Sequence, residues 1–141
     1  MEIIKATAQH LEDVYMLLCE LQEKTFDKDD FSKIYQENIN SQNIHYILAV
    51  HETKVVGFAS LHIQRLLHHC APVGELQEIV VAKEQRGLGA GALLFNEIKK
   101  LAASHKCLQL ELCSNFTRAK AHEFFLNQGM KKSHYKFTQA L

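Results

Sequence analysis

Residues 76–100, LQEIVVAKEQRGLGAGALLFNEIKK, constrain this chain more than any other stretch. A β-branched apolar run, Ile79–Val80–Val81, gives way to three alternating glycines, Gly87, Gly89 and Gly91, and then to a run of helical periodicity. That order predicts a strand, a tight turn and a helix over about residues 90–104. The first turn of a helix offers main-chain N–H groups with no intrahelical partner and carries partial positive charge. Glycines there let an anion approach the main chain, so the turn reads as a phosphate cradle. It is not a dinucleotide fingerprint, because the G-x-G-x-x-G spacing is missing, nor a Walker loop, because no Lys–Ser/Thr pair follows. The plainer alternative is that the glycines only permit the turn.

Which phosphate is bound depends on the rest of the chain. With 141 residues there is material for one domain with one core, 1–141. Lys+Arg and Asp+Glu number 16 each, so the basic excess that nucleic-acid binding requires is absent, although a local basic patch is not excluded. No apolar run approaches the ~20 residues that span a membrane, and the N-terminus MEIIKATAQH has no signal-peptide layout, so a cytoplasmic protein is expected. Cys19, Cys70, Cys107 and Cys113 show no CxxC spacing; three lie in apolar segments, and reduced core cysteines are expected.

Periodicity supplies the remaining elements. EIIKATA reads as a strand, and Thr7 as the N-cap of a helix whose stripe is Leu11, Val14, Leu18 and Leu21. DDFSKIYQENI reads as a second helix with Phe31, Ile34 and Tyr35 on one face. HYILAV and VVGFASLHI flank HETK as a hairpin, and QRLLHHCAP is a loop or strand end. After the glycine turn come the strand CLQLELCS, the helix TRAKAHEFFLNQ with Gly129 as its C-cap, and KKSHYKFTQA as a closing strand. Hairpins mixed with crossovers predict an α/β (α+β) fold with a mixed, mostly antiparallel sheet and helices on both faces.

Arg86-x-x-Gly89-x-Gly91 resembles the Q/R-x-x-G-x-G/A signature of the GCN5-related N-acetyltransferases (GNAT), and the element order is similar to that family from end to end. LHIQRLLHHCAPVGELQEIVV, AHEFFLNQGMKKSHYKFTQAL and NIHYILAV resemble the aminoalkylphosphonate N-acetyltransferases within it. The resemblance implies the GNAT fold and acetyl-CoA as cosubstrate, with acetyl transferred to the primary amine of a small aminoalkylphosphonate. Another small amine or amino acid as acceptor, or a CoA-binding module without turnover, are the alternatives. It further implies that Ile79, Val80 and Val81 offer main chain to the pantetheine arm. Arg86, Gly87, Leu88, Gly89, Ala90, Gly91 and Ala92 would hold the pyrophosphate, with Arg86 contacting the phosphate or ordering the loop. Homodimers are common in the family, so a dimer is an open expectation.

Acetyl transfer to an amine requires removal of a proton, donors for an oxyanion and an exit for the thiolate. Glu78 is the candidate base, because among Leu76, Ile79, Val80 and Val81 a carboxylate is less hydrated and accepts a proton more readily. Glu75, taken to lie at the strand's start, is its competitor. The oxyanion would meet a main-chain N–H near Val80 or Val81. Many relatives carry Phe-Tyr where this chain has Phe124–Phe125, so Tyr135, His122, His134 or water would protonate the thiolate, with Tyr135 the leading candidate, or the thiolate would leave unprotonated. A phosphonate would be held by cations and donors among Arg65, His68, His69, Arg118, Lys120 and His134, with Glu75 as a further substrate-facing residue. Adjacent His68 and His69 with Glu75 could hold a divalent ion only where the segment departs from a strand, and no metal ligand is assigned.

Overall fold

Nine regular elements follow from these patterns in a computed structural model that describes residues 1–141. In chain order they are β1 (Glu2–Lys5), α1 (Leu11–Gln22), α2 (Lys28–Ile39), β2 (Ile44–His51), β3 (Lys54–Leu66), β4 (Ala71–Val81), α3 (Ala90–Ser104), β5 (Leu110–Leu112) and α4 (Ala119–Asn127). Two compact units result, Met1–Glu111 and Leu112–Leu141.

The sheet order is β1-β2-β3-β4-β5, and the first three pairings are antiparallel. Beside β4, Leu108 N–H donates to Pro72 O (2.8 Å) and Gly74 N–H donates to Gln109 O (3.1 Å). The two segments therefore advance in the same direction, as the α3 crossover requires, and the sheet is mixed. The β2–β3 hairpin closes through Glu52 (φ 48°) and Thr53 (φ 72°), both left-handed, as a two-residue primed turn demands.

Alternation along the strands divides the side chains between two faces. Leu48, Phe58 and Val80 pack with Val14 and Leu17 of α1 and Tyr35 of α2. On the other face Leu61 approaches Gly74 near Ala102 of α3, while Leu94 of α3 lies against Gly57. Each large side chain buried this way contributes about 1.5–3 kcal/mol relative to exposure. Helices on both faces are as expected, but Ile34 is 56% exposed and does not join the α2 face.

Several local expectations change. Thr7 caps a single 3₁₀ turn, Ala8–His10, ahead of α1; its N–H donates to His10 Nδ1 (3.0 Å). Asp27 caps α2 by accepting from Asp30 N–H (2.9 Å). The cysteines are free, but Cys19 and Cys107 are half-buried and Cys70 and Cys113 exposed, so none is a core residue. Residues 131–140 form no strand and are exposed throughout. The alternation of Tyr135 and Phe137 suits a strand, yet a strand needs a hydrogen-bonding edge beside it, and this segment has none.

Candidate active site

One residue out of register shapes the site. Ser60 pairs with Glu78, but the next pair along is Leu61 with Leu76, so Gln77 is an extra residue in β4 and forms a β-bulge. In a regular strand Leu76 and Glu78 would share a face and Glu75 would oppose them. The bulge reverses that parity. Leu76 turns into the core at 2% exposure, while Glu75 and Glu78 come to the same face, opposite His62 and Ser60. Glu75 is therefore mid-strand rather than at the strand's start, because β4 begins at Ala71.

Ser60 is fully buried and is the one polar residue in the core. Its hydroxyl donates to Glu78 Oε2 and accepts from Glu78 N–H at 3.1 Å. On the far side of β3, Tyr46 pairs with Ser60, and its hydroxyl accepts from Asn38 Nδ2 at 2.6 Å. Burial pushes the Tyr46 phenol up, Asn38 draws it back, and the Glu78 charge adds to the rise. A row Tyr46–Ser60–Glu78 thus crosses three strands. Sequence reasoning did not single out Ser60 or Tyr46; the available signal was a serine in phase with Phe58 inside an apolar strand.

Main-chain alternation orients the end of β4. Ala82 N–H donates to Val56 O (2.9 Å), so two residues back Val80 also faces β3, while Ile79 and Val81 face the outer edge. Of the two oxyanion donors expected from the sequence, only Val81 is free of β3. Because β5 has three residues and β4 eleven, β4 runs on past β5 toward Val81.

The glycine turn then begins. Arg86 Nε donates to Val81 O at 3.0 Å, and its Nη2 lies 3.6 Å from Glu20 Oε1 of α1. The same carboxylate accepts from Lys83 N–H (2.8 Å). Gly87 (φ 81°) and Gly89 (φ 87°) are left-handed, and a Cβ built on either meets nothing within 4 Å. Gly89 is the N-cap of α3 and supplies no side-chain cap. Leu88 is exposed, and the first-turn N–H groups of Ala90, Gly91 and Ala92 have no intrahelical acceptor. Open space before uncapped donors at a helix N-terminus fits a pyrophosphate.

The anion candidates divide between the units. Arg65 is an exposed residue of β3 paired with Pro72. His68 and His69 lie in a 3₁₀ turn after β3, their ring centroids 4.3 Å apart. That segment is irregular, as shared coordination would need, but no three His, Cys, Asp or Glu side chains converge as a metal group. In the second unit Arg118 is the exposed N-cap of α4. His122 Nε2 is engaged with Asn115 O at 2.9 Å, and His134 Nδ1 with Ser133 Oγ at 2.6 Å. Phe124 and Phe125 pack edge to face, and Tyr135 is 91% exposed.

Comparison with known proteins gives the family and the fold. The chain is 39% identical over 140 residues to the aminoalkylphosphonate N-acetyltransferase of Salmonella typhimurium, covering 99% of this chain and 91% of that one. It is 30% identical over 91 residues to the glucosamine 6-phosphate N-acetyltransferase of Candida albicans, covering 62% and 61%. A transcriptional regulator from Bacillus halodurans shares the fold with a TM-score of 0.91 at 20% identity, covering 99% of both chains. No helix is long and apolar enough to cross a membrane. The family model for Acetyltransferase (GNAT) matches residues 11–130, a span that takes in the bulged strand, the arginine-ordered turn and α3, and the chain belongs to that family of acetyl-CoA-using acetyltransferases.

Proposed function

We propose that this protein transfers the acetyl group of acetyl-CoA to the primary amine of a small aminoalkylphosphonate, with Glu78 as the base. The observation that carries the acyl-transfer chemistry is the Glu78 carboxylate, held by Ser60 on the strand that leads into the phosphate cradle. The acceptor rests on the 39% identity to an aminoalkylphosphonate N-acetyltransferase. By their names, both curated relatives act on amines that carry a phosphorus oxyanion.

At neutral pH the acceptor amine is an ammonium ion, so a proton must leave before attack. Glu78 Oε1 accepts no hydrogen bond from the protein and takes that proton directly or through a water. The outward N–H of Val81 donates to the oxyanion that develops on the carbonyl. Acetyl-CoA would supply the activated thioester; the outer edge of β4 at Ile79–Val81 would hold its pantetheine arm, and the first turn of α3 its pyrophosphate. The departing thiolate takes its proton from water. Arg65, His68 and His69, with Glu75 toward the amine, are the candidate acceptor contacts in the unit that carries Glu78.

Thiol release from acetyl-CoA, measured with 2-aminoethylphosphonate and with β-alanine, tests the acceptor. A site built for a tetrahedral dianion leaves donors unpaired around a planar carboxylate, at about 1–3 kcal/mol for each buried donor. The phosphonate should exceed β-alanine by at least about tenfold in kcat/KM. Equal rates, or preference for the carboxylate, would leave an acetyltransferase for another small amine. A chelator arm reads whether His68 and His69 hold a divalent ion that bridges to the phosphonate.

A further inference from the structure

We propose that Ser60 is the positioning residue for the base, setting both the main chain and the carboxylate of Glu78; this rests on the reading of Glu78 as the base. A glutamate on a strand has three side-chain torsions, and without restraint its carboxylate samples several rotamers. Ser60 removes that freedom from two sides. Its oxygen accepts from Glu78 N–H at 3.1 Å, and its proton goes to Oε2. With Oε2 engaged, Oε1 is the oxygen left for the acceptor amine or its water.

The bulge explains why the contact is needed. Gln77 has no partner across from it, so the regular ladder that would hold Glu78 is interrupted one residue away, and the serine hydroxyl replaces it. Ser60 suits that task because it is itself immobile. It lies in β3 between β2 and β4, has no exposed surface, and pairs with Tyr46 on its other side. A hydroxyl can accept and donate at once, which Ala or Val at this position could not do. Burial of a hydroxyl in an apolar strand is unfavourable unless it is bonded, and both of its bonds go to one residue.

Five proteins test the assignment by steady-state kinetics: wild type, Ser60→Ala, Glu78→Gln, the Ser60→Ala/Glu78→Gln double variant and Ser60→Thr, each with a thermal melt. Ser60→Ala should lower kcat about tenfold or more with KM for acetyl-CoA unchanged, as for the loss of one orienting contact. In the Glu78→Gln background the same change should add nothing, because a residue that acts through Glu78 has no effect once the base is gone. Ser60→Thr, which keeps the hydroxyl, should recover most of the rate. If Glu78→Gln is slow but Ser60→Ala retains wild-type kcat, or lowers it by the same factor in both backgrounds, the positioning role is overturned while the base reading stands. If Glu78→Gln turns over at the wild-type rate, the base reading fails and the role of Ser60 falls with it.

Discussion

Arg86 donates its Nε–H to the carbonyl of Val81, five residues earlier and 3.0 Å away, and so folds the loop back onto the outer edge of β4. Its guanidinium also lies 3.6 Å from Glu20, and we propose that the side chain orders the turn. Arg86→Ala should weaken acetyl-CoA binding by about two- to tenfold, the scale of one hydrogen bond, with kcat at saturation nearly unchanged. Calorimetry and saturation kinetics check the pair. A loss of several hundredfold would show that the guanidinium binds phosphate directly.

Gly89 has φ 87° with open space where a side chain would stand. Gly89→Val should therefore fold, at a cost of about 1–3 kcal/mol for forcing a β-branched residue into that region. The same open space is where the pyrophosphate would come, so acetyl-CoA binding should be lost. A folded variant that binds acetyl-CoA with unchanged affinity would remove the cradle.

Glu78→Gln preserves shape and keeps an acceptor for the Ser60 hydroxyl but cannot take a proton. Its kcat should fall about 10²-fold or more. Because the bulge brings Glu75 to the same face, a wild-type rate in this variant would move the role to Glu75.

Tyr35 is buried at 3% exposure and donates to Thr7 O (2.8 Å). Burial foremost, with the Tyr46 and Asp13 charges adding to it, pushes its phenol up to about 12. Below pH about 10 the phenol is neutral in both states and its contribution is fully present. Between about 10 and 12 the unfolded chain ionises first, so stability is lost as pH rises, by up to about 2–3 kcal/mol. Urea midpoints at pH 9 and 11.5 should fall more steeply for wild type than for Tyr35→Phe, which lacks the phenol. Parallel slopes would show that Tyr35 is not the group responsible.

Much of the fold was legible because it is locally encoded. The α1 stripe, the β2–β3 hairpin and the strand–turn–helix at residues 76–100 each follow from periodicity and turn chemistry within a dozen residues. Glycine was needed at 87 and 89 for a left-handed backbone, and that requirement is as visible in the sequence as in the fold. Glu78 could be selected for the same reason: a carboxylate in an apolar strand stands out.

Tertiary pairing decided the rest. Nothing local in LQEIVV marks Gln77 as the bulged residue; it is bulged because β3 and β4, paired over most of their length, must place Leu76 in one core and Val80 in the other. That conflict puts Glu75 and Glu78 on one face and brings Ser60, 18 residues away in sequence, to the carboxylate. The closing segment shows the same limit from the other side, for Tyr135 and Phe137 have the alternation of a strand and are each 91% exposed. Alternation fixes which side chains could share a face, but a strand forms only where another backbone offers its N–H and C=O groups, and that depends on residues far away in the chain.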